Sequence, residues 1–149
     1  MKKSNPTITQ LNELLAINND AEKIYLDALH HVEDEDLKNF FRAMAFERSE
    51  FCRFLGAEII QKGGNPEYPE DEKGALNKLW ARLKQIISKN DEYALFDEVC
   101  RMKTWTIDKY NDTLNKIKFS EHIAQLLQKQ RDAIERSLHA LQIGNRQMA

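Results

Sequence analysis

Ala43-Met44-Ala45-Phe46-Glu47-Arg48-Ser49-Glu50-Phe51 holds an acid inside an apolar stripe. At helical spacing, Leu37, Phe40, Met44, Glu47, Phe51 and Phe54 fall on one face, five of them large and apolar and the sixth a carboxylate. A glutamate in that position is expected to face the interior, where an unpaired charge is expensive. Glu47 therefore requires polar company from other helices, and an all-α bundle follows from asking which residues supply it.

Upstream, the acidic turn Glu33-Asp34-Glu35-Asp36 separates this helix from an earlier one ending at His30-His31. Cations at a helix C-terminus and acids at the next N-terminus both suit the helix dipoles. The earlier helix carries the seam Ile8, Leu11, Leu15, Asn18, Glu22, Tyr25, Leu29, Val32, in alternating steps of three and four. Thr7-Ile8-Thr9-Gln10 reads as a capping box at its start. With so short a turn the two helices fold back antiparallel, which brings Glu22 and Glu47 to nearly the same level.

Downstream, Gly63-Gly64 supplies a stop and opens the breaker-rich loop Gly63-Gly64-Asn65-Pro66-Glu67-Tyr68-Pro69. Leu76, Leu79, Trp80, Leu83, Ile86 and Ile87 make a short amphipathic segment suited to a crossover. Asn90 or Asp91 caps a third long helix with Leu95, Phe96, Val99, Lys103, Thr106, Ile107, Tyr110, Leu114 and Ile117 inward. Ser120 caps the last, whose stripe is Ile123, Leu126, Leu127, Gln130, Ile134, Leu138 and Leu141; Gly144 is expected to close it and Asn145–Ala149 to fray. The pattern predicts a single domain over 1–149, with helices at roughly 8–32, 36–62, 74–88, 91–118 and 120–143. Its fold class is an all-α, ferritin-like antiparallel four-helix bundle with a short crossover helix between the second and third long helices. Tyr25, Asp27 and Leu29 recur as Tyr110, Asp112 and Leu114, a weak trace of duplication.

Composition narrows the function classes. Hydrophobic content of 42% and charged content of 31% suit a helix-rich globular protein, and a net charge of −2 gives no footprint for nucleic acid or anionic lipid. The start Met1-Lys2-Lys3-Ser4-Asn5-Pro6 leads into no apolar run and is not expected to be a signal peptide, and no stretch approaches a membrane span. Cys52 and Cys100 have no CxxC spacing, so reduced thiols and a cytoplasmic setting are expected. With a crossover, the second and third long helices run parallel, and the two cysteines then lie at levels too far apart for a disulfide. No nucleotide loop, nucleophile elbow or HExxH motif is present.

Each long helix carries a polar seam residue near its midpoint: Glu22, Glu47, Lys103 and Gln130. Ferritin-like di-metal proteins place a glutamate from each of two helices and Glu-x-x-His from the other two at such a level. Here Glu47-x-x-Glu50 replaces Glu-x-x-His, Glu135-x-x-Leu138 puts His139 one position off the face, and the third long helix supplies Lys103. An ammonium group cannot bind metal. The favoured reading is a polar core centre in which Lys103 stands where a cation would be and neutralises Glu22 and Glu47. The other is an iron or manganese site built from Glu22, Glu47, Glu50 and Glu135. His30, His31 and Asp27 read as solvated, the cysteines as buried thiols, and Trp80 and Trp105 as packing anchors.

The chain resembles the bacterial ferritin-like four-helix-bundle family labelled domain of unknown function 2383. The matching residues are Leu11-Asn12-x-Leu14, Asn19-Asp20-Ala21-Glu22 with Tyr25, Leu37-Lys38-x-Phe40-Phe41 and Ala45-x-Glu47-Arg48-x-x-Phe51. They continue through Gly63-Gly64-x-Pro66, Trp80, Arg101, Tyr110, Gln130-Arg131 and Ile134-Glu135, nearly the whole chain. The resemblance implies a bundle and no established activity. Relatives tend to read Arg-Gly-Glu followed shortly by Ala-Ala where this chain has Arg101-Met102-Lys103-Thr104-Trp105-Thr106, a change that fills space and reverses charge. The expected function is that of a non-enzymatic cytoplasmic bundle protein, stress-associated by family analogy or self-associating, with no catalytic or cofactor-binding residues and no cofactor. Any oligomer is expected to be a homodimer, with neither nucleic acid nor membrane as partner. The alternative is a di-metal oxidase or iron-handling protein with a degenerate site.

Overall fold

A computed structural model describes residues 5–68 and 75–148. Among these residues it contains five helices and no strands: α1 (Pro6–His31), α2 (Glu35–Gln61), α3 (Ala75–Ser88), α4 (Glu92–Lys116) and α5 (Glu121–Met148). Met1–Ser4, Pro69, Gly74 and Ala149, on which some of the expectations above fall, lie outside the described residues. The chain divides into two compact units, one reaching Lys89 and the other beginning at Asn90.

In the first unit α1 and α2 form a helical hairpin. Its start differs from the capping-box expectation. Asn5 is the cap, its Oδ1 accepting from the backbone N–H of Thr7 (2.9 Å) and Ile8 (3.4 Å), with Pro6 filling the first helical position. Asp34 caps α2 by accepting from the Leu37 N–H at 3.0 Å. Two contacts fix the hairpin register: Arg48 donates to Asn18, and the Cys52 thiol donates to the Leu15 carbonyl. Glu22 and Glu47 then lie within about one helical turn of the same level.

The α2 residues that pack deepest are Phe41, Ala45, Arg48, Cys52, Leu55, Gly56 and Ile59. This seam lies one position beyond the expected stripe, whose Leu37, Phe40, Met44, Glu47 and Phe51 are half-buried and whose Phe54 is exposed. The seam mixes large side chains (Phe41, Arg48, Leu55, Ile59) with small ones (Ala45, Cys52, Gly56), and the contacts of Arg48 with Asn18 and of Cys52 with the Leu15 carbonyl turn this face toward α1.

Gly63 and Gly64 end α2 in a Schellman motif. Gly63 takes φ +87°, its N–H bonding the Ile60 carbonyl, while the Gly64 N–H bonds the Ile59 carbonyl. The loop beyond is clamped to α1 by Asn12, which donates to the Asn65 carbonyl (3.2 Å) and accepts from the Glu67 N–H (2.8 Å). α3 packs on α1 through fully buried Leu83, and its Trp80 meets the His31 ring edge-on at 5.0 Å.

In the second unit α4 and α5 form another hairpin. Asp91 caps α4 by accepting from the Ala94 N–H, and Ser120 receives the Ile123 N–H at the start of α5. Leu95, Val99, Lys103, Thr106, Ile107 and Tyr110 are buried from α4, and Ile123, Leu127, Gln130 and Ile134 from α5. α5 does not stop at Gly144. Buried Asn145 donates to the Tyr93 carbonyl at 3.3 Å, so the last turn is held against the start of α4 and stays helical. Trp105 is not a buried anchor either: it is half exposed, with the Lys109 ammonium 5.3 Å over its ring, so only Met102 of the bulky pair fills interior space.

Candidate functional site

The polar groups of the first hairpin gather where α1 and α2 cross mid-length. Arg48 is the largest fully buried side chain, 1% exposed, and it donates from Nη1 to Asn18 Oδ1 at 3.3 Å. Its Nε and Nη2, like Oε1 of half-buried Glu47, have no protein hydrogen-bond partner. Sequence reasoning missed Arg48, because a charge is ordinarily assigned to solvent. The available signal was its place in the four-three steps of Phe41, Ala45, Arg48, Cys52, Leu55 and Ile59.

Beside it lies an open depression of 490 Å³ lined by Asn19, Glu22, Lys23, Ser49, Cys52, Arg53 and Tyr68. Cys52 at its base is a poor nucleophile. Burial pushes its thiol pKa up to about 12, the Glu22 carboxylate adds to that shift, and Arg48 opposes it. Glu50, one of the possible metal ligands, is tied to Arg53 through Nε (3.1 Å) and Nη2 (2.6 Å).

In the second hairpin Lys103 is 0% exposed and Gln130 is 3% exposed. The Tyr110 hydroxyl, fully buried, donates to Gln130 Oε1 at 2.6 Å. A phenol and an amide thus satisfy each other in the core, a pairing that sequence spacing alone did not disclose. Cys100 is a buried free thiol whose pKa is raised by burial and then by Asp97, with Lys103 pulling the other way. Glu135 is exposed on α5, as is His139.

A di-metal centre needs several carboxylates or imidazoles converging on one point. Among the described residues no three His, Cys, Asp or Glu side chains are grouped to hold a metal ion. Of the four possible ligands, Glu22 lines the depression, Glu47 is half-buried, Glu50 is ion-paired and Glu135 faces solvent. Within the first unit, Glu22, Glu47 and Glu50 do not form such a group.

Among the described residues, no helix is long and apolar enough to cross a membrane. No curated protein and no solved structure matches the chain. One family does, over residues 6–116, a stretch from the start of α1 to the end of α4 that leaves out Gln130-Arg131 and Ile134-Glu135 of α5. Within it Asn12 and Gly63-Gly64-x-Pro66 meet at the loop clamp, and Arg48 occupies the hairpin core. The chain belongs to the family described as a domain of unknown function (DUF2383).

Proposed function

We propose that this is a non-enzymatic, cytoplasmic helical-bundle protein in which the mid-helix polar residues are structural. In this reading the two hairpins form one ferritin-like antiparallel four-helix bundle, α3 is its crossover, and an internal ammonium group does the charge-balancing that a metal ion does in di-metal relatives of the fold. The observation that carries it is Lys103, wholly buried near the middle of α4, at the station where a metal-binding bundle needs a ligand. Glu50 adds support, since Arg53 already holds its carboxylate in an ion pair.

One observation favours the rival, a metal-handling protein: Oε1 of Glu47 is buried without a protein hydrogen-bond partner, the state in which a carboxylate attracts a cation. Elemental analysis of protein purified without chelator separates the two. The structural reading expects iron and manganese well below one per chain, before and after incubation with either ion. About one or two ions per chain, retained through gel filtration, would overturn it.

A further inference from the structure

α2 carries a second seam on the side away from α1. Ala43, Phe46, Glu50, Arg53, Ala57 and Ile60 follow one another in steps of three, four, three, four and three. That is a heptad seam, and it lies roughly opposite the buried Phe41-to-Ile59 seam around the helix. All but Glu50 are exposed, Phe46 at 66% and Ile60 at 63%, and Glu50 is half-buried in its ion pair with Arg53. Phe46 and Ile60 are the large apolar side chains that a partner on this solvent-facing side would cover.

We propose that the partner is a second copy of this chain, docked antiparallel along the same face of α2 about a two-fold axis between Phe51 and Cys52. The steps read the same in both directions, so reversing one helix superimposes the seam on itself. Each layer of that pairing is complementary. Phe46 of one copy meets Ala57 of the other, and Ile60 meets Ala43, so each large side chain finds a small one. Glu50 meets Arg53, which places two acids and two guanidinium groups in alternation around the axis. A parallel pairing fails on each count: it stacks Phe46 on Phe46, Glu50 on Glu50 and Arg53 on Arg53. The net charge of −2 opposes self-association only weakly.

The interface is small. Six positions per copy, exposed as they are, cover on the order of 1,000 Å² over both copies, near the lower bound for a specific contact, so dissociation in the micromolar range is expected. Glu50 is also one of the four possible metal ligands, so Phe46→Asp, which alters none of them, tests the contact separately from the metal question.

The test is sedimentation equilibrium of the full chain and of charge variants from about 1 to 300 μM. The parent should pass from monomer to dimer across that range. Glu50→Arg alone and Arg53→Glu alone each put four like charges at the axis and should weaken dimerisation at least about tenfold. An equimolar mixture of these two variants should recover parental affinity as a heterodimer, and the Glu50→Arg, Arg53→Glu double variant should recover it alone. Phe46→Asp should be monomeric with the parent's circular dichroism. A parent that stays monomeric throughout would leave the face to a different partner and refute self-pairing. Parental dimerisation by Phe46→Asp, or a mixture no tighter than its components, would place the contact elsewhere and refute it equally. Loss of folding in Phe46→Asp would show that the face is not free, which also overturns the proposal.

Discussion

The loop closure at Gly64 can be tested to within a methyl group. A Cβ built there would lie 2.8 Å from Cγ2 and 3.0 Å from Cδ1 of Ile8, and 3.2 Å from Cγ2 of Ile59. Ile59 is fully buried and its neighbours are fixed, so Gly64→Ala is an overpacking change, which typically costs about 1–3 kcal/mol. Gly64 has no positive φ, so alanine fits its backbone and regains roughly 0.4–1 kcal/mol by restricting the unfolded chain. The expected net loss is about 1–2 kcal/mol, a fall in Tm of roughly 3–6 °C for a chain of this size. Ile8→Ala removes both of the closest atoms. Measured in the same cycle of urea and thermal melts, the double variant should be more stable than the sum of the singles by about 1 kcal/mol or more. Gly63→Ala is the internal control. Nothing lies within 4 Å of its Cβ, but φ is +87°, so its loss of about 1 kcal/mol should be purely conformational and untouched by Ile8→Ala. A Gly64→Ala variant as stable as the parent, or strict additivity with Ile8→Ala, would refute close packing of this loop against α1.

Asn12→Ala should cost about 1–3 kcal/mol in a urea melt, because it strips two part-buried hydrogen bonds from the loop at roughly 0.5–1.5 kcal/mol each. Arg48→Met, which keeps volume and removes a buried guanidinium with two unpartnered nitrogens, should be neutral or stabilising by about 1–4 kcal/mol in the same assay; a loss above about 2 kcal/mol would show that the charge is compensated. Lys103→Ala should destabilise by on the order of 3–5 kcal/mol in thermal melts, and Lys103→Glu by more, with added manganese restoring the second only if a usable ligand set forms. Cys52 should resist iodoacetamide at pH 8 in the folded chain and react on unfolding. Because its folded pKa is raised, its contribution to stability is intact below the unfolded thiol value near 9 and is lost as pH rises toward 12, which urea melts of parent and Cys52→Ala across that window would resolve.

The helices were legible because their signals are local. Asp34, Asp91 and Ser120 stand at helix starts, Gly63-Gly64 at an end, and the seams of α4 and α5 name most of the residues buried there, whereas that of α1 names Leu11, Leu15, Asn18 and Tyr25 but misses Leu14, Ala21, Ile24 and Ala28. What was misread depends on neighbours distant in sequence. In α2 the large residues Phe40, Met44, Phe51 and Phe54 dominate any hydrophobicity reading, yet the contacts to Asn18 and Leu15 of α1 turn the face of Phe41, Arg48, Cys52 and Leu55 inward. Gly144 has the chemistry of a stop, and the Asn145–Tyr93 bond from α4 overrides it. Trp105 has the bulk of an anchor, but its place on α4 faces water and Lys109. Thr7 has a capping hydroxyl, but Asn5 with Pro6 after it makes the stronger start.

The candidate site follows the same division. Lys103 and Gln130 could be named from their seams because nothing else explains polar residues there, whereas Arg48 was hidden behind the more conspicuous acid beside it. In the first hairpin the most deeply buried charge is a guanidinium, at 1% exposure, and in the second it is an ammonium, at 0%. Carboxylate metal centres require the opposite order, with acids innermost and cations at the rim, since a divalent ion is stabilised by the anions that enclose it. Here the acids Glu22 and Glu47 are only half-buried, while the cations are sealed away from water. Glu98 of the second hairpin is buried too, at 5% exposure, and pairs with Arg101 at 3.8 Å, so in each hairpin the most deeply buried charged group is still a cation. A metal-binding variant of either hairpin would first have to lose the cation buried in it, Arg48 in the first and Lys103 in the second.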